Sequence, residues 1–312
     1  MAPALRTAVV ARPREPHLSS RAMRVSYIGL GDIGAPMATR IHQQGHQLTV
    51  WNRTPARSAP FAEAGVPVAA SAAEAADDAE VVVLCIDTPA GVEAVVDQVL
   101  KAPRPPAVVV DSSTVHPDLT VSLGARLRAA GVGFVDAPVS GGPGGARAGT
   151  LAVMVGGADD DVAFVRPVLD SYARRVTHLG PLGSGQVGKA CNQLVNFATM
   201  AAIAEAMALG RAFGLDPDAL PEAMSGGLAD SSMLREYARG RAAGEDTNIT
   251  GIINGLRGLL LGFEDGPAGG RTDMLLKDLA FALDIARRQG TAAPVAGVLD
   301  GVYRMLHNQE AR

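Results

Sequence analysis

One stretch of the chain carries a lysine and three amide side chains at the spacing of a helix face. These polar residues are Lys189, Asn192, Gln193 and Asn196, at i, i+3, i+4 and i+7 of an apolar, alanine-rich segment. A helix places such residues in one stripe. Amides around one lysine indicate the wall of a polar cleft, where a lysine can have a lowered pKa and act as general acid/base. The alternatives are a hydrogen-bond network between helices and an ordinary exposed face.

A glycine-rich turn at residues 29–34 has the spacing of a dinucleotide-binding turn. A buried strand is predicted at residues 25–28, the turn spells Gly-Leu-Gly-Asp-Ile-Gly, and a helix-forming segment follows. In that context G-x-G-x-x-G allows a tight turn, close approach of a pyrophosphate and close packing of helix on strand. The predicted cofactor contacts are Gly29, Leu30, Gly31, Asp32, Ile33 and Gly34. A purely structural turn is the alternative, and residues 183–188 repeat the spelling outside this context.

The residues after the predicted strands are further candidates, because a parallel α/β sheet binds ligands at the carboxyl ends of its strands. Further strands are predicted at residues 47–51, 80–86, 107–111, 133–136 and 151–155. The positions that follow two of them are Ile86, Asp87, Thr88, Ser112, Ser113 and Thr114. After the second strand, Asn52, Arg53 and Thr54 replace the acid that would hold a ribose 2′-hydroxyl. Arg53, Thr54 and nearby Arg57 could hold a 2′-phosphate, so this segment favours NADP(H), and NAD(H) is possible. The alternative is that Arg53 is merely a solvated loop residue.

Two further segments carry polar groups in unusual settings. Residues 136–145, Asp-Ala-Pro-Val-Ser-Gly-Gly-Pro-Gly-Gly, follow a predicted strand and offer successive backbone N–H groups and the Ser140 hydroxyl. Such a loop can form a nest for an anion, here a substrate carboxylate, and a flexible turn is the alternative. Lys277 and Asp278 begin the polar face of a predicted helix. On pattern alone these two residues are expected to be solvated.

Composition restricts the class of protein. The chain has 312 residues, 47% of them hydrophobic, which suggests two domains. A net charge of −4 without a basic stripe argues against nucleic-acid binding, and no uninterrupted apolar run reaches the length of a membrane span. Cys85 and Cys191 lie in apolar segments without metal-ligand spacing. They predict free, buried thiols in a reducing compartment, hence a cytoplasmic protein without a metal site.

The pattern of elements changes near residue 183. Strands alternate with helices before it, which predicts an α/β Rossmann-type, doubly wound parallel sheet over residues 23–183. An all-α C-terminal domain is predicted over 184–312, with helices at 188–213 and 275–288 and no sustained pattern at 240–272. Residues 1–22 are rich in Ala, Arg and Pro. They are expected to be a disordered tail, or a start upstream of the natural one at Met23.

Four blocks of sequence together resemble the β-hydroxyacid dehydrogenase family, which includes 3-hydroxyisobutyrate dehydrogenase and tartronate semialdehyde (2-hydroxy-3-oxopropionate) reductase. The blocks are residues 29–38; residues 136–142 with 149–157; residues 183–193; and residues 277–279, in the family's order and spacing. The resemblance implies a Rossmann domain followed by an all-α domain that usually mediates dimers or tetramers. It also implies a small, carboxylate-bearing substrate.

The resemblance also implies roles for individual residues. Lys189 matches the family's catalytic lysine, and Asn192 and Gln193 match amides that orient the substrate. Ser140, Gly141 and Gly142 match the loop that binds the substrate carboxylate. Ser113 and Thr114 match the loop beside the nicotinamide ribose, and Lys277 matches a lysine that closes over the cofactor. Under this resemblance, residues 183–188 lead into the catalytic helix and are not a second nucleotide site.

Two alternatives to a dehydrogenase are kept open. Imine reductases are similar in the glycine block, but typically carry Asp or Tyr in place of the lysine, so Lys189 argues against them. A catalytically silent NADP-binding module used for protein interaction is the other alternative. Such proteins tend to lose the lysine, which this chain retains together with its amide stripe.

Overall fold

The first half of the chain forms a β-sheet with helices on both faces. A computed structural model describes residues 21–245, 247–262 and 272–310. The strands are β1 Arg24–Ile28, β2 Gln47–Trp51, β3 Val81–Leu84, β4 Val108–Asp111, β5 Gly133–Asp136, β6 Val139–Ser140, β7 Leu151–Gly156 and β8 Ala173–Gly180. They are ordered β2-β1-β3-β4-β5-β7-β6, with β8 beside β7. The predicted Rossmann-type sheet followed by a helical region is confirmed.

Seven α-helices accompany the sheet in the described residues, and one short 3-10 helix spans Pro55–Arg57. The α-helices are α1 Gly34–Gln43, α2 Ala59–Glu63, α3 Ala72–Ala76, α4 Pro89–Val99, α5 Pro117–Ala129, α6 Gly142–Ala148 and α7 Asp159–Leu169. Apolar residues of α1, α6 and α7 pack on one face of the sheet, and those of α3, α4 and α5 pack on the other. Strands covered on both faces are apolar throughout, as β3 and β4 are.

The predicted parallel sheet is present over β1 to β5, and the strand direction changes at one edge. Strands β1 to β5 pair in parallel, whereas β7 is antiparallel to both β5 and β6. Residues 141–150, which include α6, are the whole connection between β6 and β7. A parallel crossover needs roughly a dozen residues or more, so this connection returns the chain in the opposite direction.

The chain after β8 is helical in its described part. Its helices are α8 Ser184–Ala212, α9 Ala219–Met224, α10 Ser232–Ala243, α11 Asn248–Leu261, α12 Thr272–Arg288 and α13 Pro294–Glu310. Phe197, Met200 and Ile203 of α8 lie in a core that includes Tyr237 of α10 and Tyr303 of α13. The predicted division near residue 183 falls between the end of β8 and the start of α8.

Helix α8 has 29 residues and is long and apolar enough, by length and composition, to cross a membrane. Buried core helices meet the same criterion, and the packing of α8 in the helical core accounts for its apolar residues. The segment 240–272, which the sequence left unassigned, contains α11. Gly251, Gly255 and Gly258 are buried on that helix, so small residues occupy part of its packed face. The predictions for residues 1–20 and 263–271 lie outside the described residues.

Candidate active site

The turn between β1 and α1 contains glycines with different structural roles. Gly29 has φ +101°, and a Cβ there would lie 2.2 Å from the Cys85 carbonyl oxygen. A Cβ on Gly34 would lie 2.1 Å from the Gly29 carbonyl oxygen. Gly31 differs, since a Cβ there would meet no atom within 4 Å. The fold therefore requires Gly29 and Gly34, while Gly31 leaves open space beside the backbone, as a pyrophosphate needs.

Asn52 at the end of β2 braces this turn. Its Oδ1 accepts a hydrogen bond from the Leu30 N–H at 2.9 Å, and its Nδ2 donates to the Thr54 carbonyl oxygen at 3.0 Å. Ile33 is partly buried and packs on the sheet core just before α1. No side chain caps the N-terminus of α1, and no acid stands in its first turn. The Ala35 N–H bonds to the Gly31 carbonyl oxygen and Pro36 has no N–H, so in this turn the Gly34 N–H is the group that suits an anionic ligand.

The side chains beyond β2 present positive charge near the same turn. Arg53 and Thr54 are exposed, and Arg53 has no ion pair within the described chain. Arg57 donates to the Leu30 carbonyl oxygen at 3.3 Å and lies 3.5 Å from the Asp32 carboxylate. Asp32 therefore neutralises part of the charge of Arg57, and Arg53 is the cation that remains available.

The loops after β3 and β4 are joined by Ser113. Its hydroxyl accepts a hydrogen bond from the Ile86 N–H at 2.9 Å, and its own N–H donates to Asp111 Oδ1 at 2.9 Å. Burial raises the pKa of Asp111 to about 7, opposed by hydrogen bonds from Ser113. Thr114 is partly buried beside Ser113, and Asp87 is exposed beyond Ile86. These candidates surround the carboxyl ends of the two strands, as predicted.

Asp136, at the end of β5, holds the start of α8. Its Oδ1 accepts from the Gly183 N–H at 2.7 Å and its Oδ2 accepts from the Gln186 N–H at 2.8 Å. A Cβ on Gly185 would lie 2.5 Å from the Met154 carbonyl oxygen and 2.8 Å from Asp136 Oδ2. The second G-x-G-x-x-G spelling is thus the tight contact of α8 with β5 and β7. Sequence reasoning assigned no role to this buried carboxylate.

Lys189 lies one turn further along α8 and is only 8% exposed. Its Nζ donates to the Val139 carbonyl oxygen at 2.9 Å, at the strand that leads into Ser140. Burial lowers its pKa from 10.5 to about 8, while Asp278 raises the pKa and Lys277 lowers it. A lysine with this pKa has both proton states available near neutral pH, as a general acid/base requires.

The amide stripe forms a connected network beside Lys189. Asn192 Nδ2 donates to Ser140 Oγ at 3.2 Å and to Gln193 Oε1 at 3.1 Å. Asn196 Nδ2 donates to the same Gln193 oxygen at 3.2 Å, and Gln193 Nε2 donates to Asp278 Oδ2 at 2.7 Å. The hydrogen-bond network between helices, one of the alternatives stated for this stripe, is therefore present. It runs from β6 through α8 to α12 and lines the surroundings of the lysine.

Ser140, Gly141 and Gly142 lie where β6 ends and α6 begins. Gly141 has φ +131° and Gly142 has φ +62°, a backbone region that favours glycine. The segment predicted as a loop is helical in its second half, because α6 starts at Gly142. No side chain caps α6, so its first N–H groups and the Ser140 hydroxyl can face an anion together.

Helix α12 supplies the other end of the amide network. Lys277 Nζ donates to the Thr114 carbonyl oxygen at 3.3 Å and lies 3.4 Å from Asp278 Oδ1, and Asp278 is 5% exposed. The expectation that both residues are solvated is wrong for Asp278, which is buried, while Lys277 is partly exposed. Asp278 lies on the buried face of α12 with Leu275, Leu279 and Ala282. Its place in that i, i+3, i+4, i+7 pattern is the sequence signal that was missed.

The two cysteines are free, as predicted, but they are not equally buried. Cys85 is partly buried beside the glycine turn, and burial chiefly raises the pKa of its thiol to about 12. Cys191 is exposed, so the prediction of a buried thiol is wrong there. It lies two residues beyond Lys189, on a different side of α8.

Comparisons with known families agree with this site. A family model described as the NAD binding domain of 6-phosphogluconate dehydrogenase matches residues 24–180. A second, described as the NAD-binding of NADP-dependent 3-hydroxyisobutyrate dehydrogenase, matches residues 183–254. The two matches together extend from β1 into α11.

Individual relatives are similar over nearly the whole chain. A mitochondrial 3-hydroxyisobutyrate dehydrogenase of Mus musculus is 32% identical over 90% of this chain and 81% of its own length. An NAD-dependent L-serine dehydrogenase of Pseudomonas aeruginosa is also 32% identical, over 92% of this chain and 93% of its own. The solved structure of Mycobacterium tuberculosis 3-hydroxyisobutyrate dehydrogenase with L-serine is 30% identical, with a TM-score of 0.74 over 93% of this chain and 96% of that chain. This chain belongs to the β-hydroxyacid dehydrogenase family, whose members are NAD(P)-dependent oxidoreductases.

Proposed function

We propose that this chain catalyses reversible oxidation of a small β-hydroxy acid to its semialdehyde with NADP(H), and that Lys189 is the general acid/base. The observation that carries the proposal is the position of Lys189, buried between the carboxylate-binding candidate Ser140 and the amides of α8. When bound, NADP(H) supplies or accepts the hydride. The bare backbone at Gly31 and the uncapped start of α1 fit such a cofactor.

Lys189 holds or releases the proton at the substrate oxygen. A protonated Nζ has three N–H donors, and the Val139 carbonyl oxygen takes one of them. The remaining donors are available to a carbonyl oxygen during reduction. In the opposite direction, the neutral amine accepts the proton of the substrate hydroxyl. Asn192 or Gln193 donates a hydrogen bond to the same oxygen. Gln193 Nε2 keeps one N–H beyond its bond to Asp278, whereas Asn192 would first release Ser140 Oγ or Gln193 Oε1.

The substrate carboxylate is assigned to Ser140, Gly141 and Gly142. Because Asn192 donates to Ser140 Oγ, the hydroxyl hydrogen of Ser140 is free to point toward the substrate. The N–H groups at the start of α6 add donors that favour a negative charge. Ser140 lies on β6 next to Val139, whose carbonyl oxygen binds Lys189. A short acid whose carboxylate binds at Ser140 would therefore have its next carbons near Lys189.

The relatives support the class of substrate. 3-Hydroxyisobutyrate and L-serine, in the names of these relatives, both carry a hydroxyl on the carbon β to a carboxylate. A site with one carboxylate-binding end and one acid/base fits either. 2-Hydroxy-3-oxopropionate carries a carboxylate and, on the β carbon, an aldehyde, which is the oxidised form of the same pair of groups. The pair Asn192-Gln193 resembles the pair of tartronate semialdehyde reductases and favours this substrate.

NADP(H) is proposed over NAD(H) from the end of β2. Asn52 is neutral there and is engaged with the Leu30 N–H, so no carboxylate is placed to bind a ribose 2′-hydroxyl. The exposed Arg53 offers positive charge to a 2′-phosphate. Lys277, which touches the Thr114 carbonyl oxygen, is proposed to close over the bound cofactor.

We also propose a cytoplasmic homodimer or homotetramer that associates through the helical domain. Large apolar side chains stand exposed on α8 and just beyond it. They are Val195 at 67%, Leu209 at 74% and Phe213 at 83% exposure. Such a surface supports association of copies. The free thiols support a reducing compartment.

The proposal is tested by measuring consumption of NADPH and NADH with tartronate, methylmalonate and succinate semialdehydes and glyoxylate. Wild type and Lys189→Ala are compared on the same panel. Turnover that prefers NADPH and is lost in the variant supports reaction class, cofactor and acid/base together. Tight NADPH binding without turnover of any acid contradicts the proposal. Reduction of cyclic imines would then indicate the imine reductase alternative. No reduction of either class of compound would indicate the catalytically silent NADP-binding module.

A further inference from the structure

Gln186, in the first turn of α8, makes contacts that the proposed chemistry does not use. It is 2% exposed, and its side chain pairs with one short loop. Its Nε2 donates to the Ser113 carbonyl oxygen at 2.9 Å, and its Oε1 accepts from the Val115 N–H at 3.2 Å. A carboxamide that binds a backbone C=O and N–H two residues apart fixes both the position and the orientation of that loop.

The same residue is also fixed to the catalytic helix. Its own N–H donates to Asp136 Oδ2 at 2.8 Å. Lys189 follows at i+3, on the neighbouring position of the same helix face. Gln186 therefore joins two parts of the cleft: the helix that carries the acid/base and the loop that carries Ser113 and Thr114.

The loop itself has few ways to shift. Ser113 is bound on its other side by the Ile86 N–H and by Asp111. Thr114 accepts from Lys277 of α12. Only the Gln186 contacts connect this loop to the first turn of α8, among the hydrogen bonds of the described residues. Without them the loop would stay attached to the sheet and to α12, but no hydrogen bond would connect it to the first turn of the helix that carries Lys189.

We propose that Gln186 is a positioning residue, which aligns the nicotinamide-side loop at residues 113–115 with Lys189. This inference rests on the proposed function, since it assigns the loop to the cofactor and the lysine to the substrate. Its effect is on geometry: a displacement of about 1 Å between reacting groups can cost roughly 10²-fold in rate. A buried amide with only a structural role would affect stability and leave the hydride-transfer rate unchanged.

The test compares Gln186→Met, Gln186→Glu and wild type. Methionine has a similar length and neither hydrogen bond, so we expect NADPH to bind about 10-fold more weakly and single-turnover hydride transfer to fall by roughly 10²-fold. A protonated carboxyl donates and accepts as the amide does, whereas a carboxylate cannot donate to the Ser113 carbonyl oxygen. The rate of Gln186→Glu relative to wild type should therefore rise as pH falls, and that of Gln186→Met should not.

A second readout needs no turnover. Val115 N–H is held by Gln186 Oε1, so amide hydrogen exchange at Val115 in the cofactor-free protein should accelerate in Gln186→Met. Tyr303→Phe is the matched control, because it also removes a buried hydrogen bond to α8, from Tyr303 Oη to the Phe197 carbonyl oxygen at 2.8 Å. This control should keep wild-type NADPH affinity, hydride transfer and Val115 exchange.

The outcomes separate this inference from the proposed function. Suppose that wild type transfers hydride, and that Gln186→Met has the wild-type rate, NADPH affinity and Val115 exchange. This result overturns the inference and leaves the proposed function standing. Absence of hydride transfer in wild type itself overturns the proposed function. NADPH affinity and Val115 exchange then still decide whether Gln186 positions the loop, and unchanged values for both overturn the inference as well.

Discussion

Burial and a neighbouring carboxylate act on the proton of Lys189 in opposite directions. Burial is the larger effect and lowers the pKa to about 8, and Asp278 raises it. The result suits a residue that donates a proton in one direction of a reversible reaction and accepts it in the other. The same burial costs stability, because the ammonium form is favoured in the unfolded chain.

That cost predicts a pH-dependent stability. Below about pH 8 Lys189 is protonated in the folded and unfolded chain, and its penalty of about 3 kcal/mol is fully present. Between about pH 8 and 10.5 the folded chain releases the proton first, so the penalty fades as pH rises. Lys189→Met should therefore exceed wild type in free energy of unfolding by more at pH 7 than at pH 10, as measured by urea denaturation. A difference that does not change with pH would contradict the assignment.

At the scale of elements, the turn between β1 and α1 has glycines that the fold requires, Gly29 and Gly34, and one glycine, Gly31, whose open space is proposed for the cofactor. Gly31→Ala adds a Cβ to open space, so we expect an unchanged free energy of unfolding and at least about 10-fold weaker NADPH binding. Gly29→Ala adds strain at φ +101° and a clash with the Cys85 carbonyl oxygen, and should lower stability itself. Gly301→Ala, in open space inside α13, is the control: NADPH affinity should stay unchanged, and the free energy of unfolding should rise by up to about 1 kcal/mol because alanine favours a helix interior over glycine. Calorimetry measures the stability, and NADPH titration measures the affinity. If Gly31→Ala binds NADPH as tightly as wild type does, the turn is not the cofactor site.

The contact of α12 with α8 affects the pKa of Lys189. Asp278→Asn keeps an oxygen for the Gln193 Nε2 donor and removes the charge that raises the Lys189 pKa. We expect the inflection in the pH profile of kcat/KM to move to lower pH. Asp284→Asn changes a carboxylate of the same helix that pairs with Arg287 and Arg288, and should leave the inflection in place. An unmoved inflection in Asp278→Asn would show that another group controls the profile.

Sequence patterns predicted the strands that are buried along their whole length and the helix that follows a recognisable turn. Continuous apolar runs identify β3 and β4, and the glycine turn identifies the start of α1. Strand β8 was missed because an edge strand with Arg174, Arg175 and His178 outward has no apolar run. Strand β6 has two residues, too few for any pattern. Helix α11 was hidden by glycines on its buried face.

The candidate site was predicted where residue type and helical spacing agree, as for Lys189 and its amides. The missed residues act through contacts between segments far apart in the chain. Asp136 binds the N–H groups of residues 183 and 186, and Gln186 binds the loop at residues 113–115. Asp278 meets Gln193 from a different helix. No local pattern encodes such pairings, because they depend on how helix and sheet pack.

At the scale of the whole molecule, the outer face of α8 predicts self-association. Leu209 and Phe213 are exposed to 74% and 83%, one turn apart near the helix end. We expect wild type to elute as a dimer or tetramer, and Leu209→Glu with Phe213→Glu to shift it to a smaller species by light scattering. Val121→Glu changes an exposed apolar residue of α5 and is the control. A monomeric wild type, or an unchanged mass in the double variant, would contradict association through this face.

Lys189 is proposed to supply the proton that accompanies hydride transfer. The most direct measurement is the single-turnover rate of NADPH oxidation with the preferred semialdehyde, for wild type and Lys189→Met, together with NADPH affinity. We predict a loss of at least about 10² in rate with unchanged NADPH affinity. A rate in the variant close to that of wild type would contradict the account, because the buried lysine would then lie beside the chemistry without taking part in it.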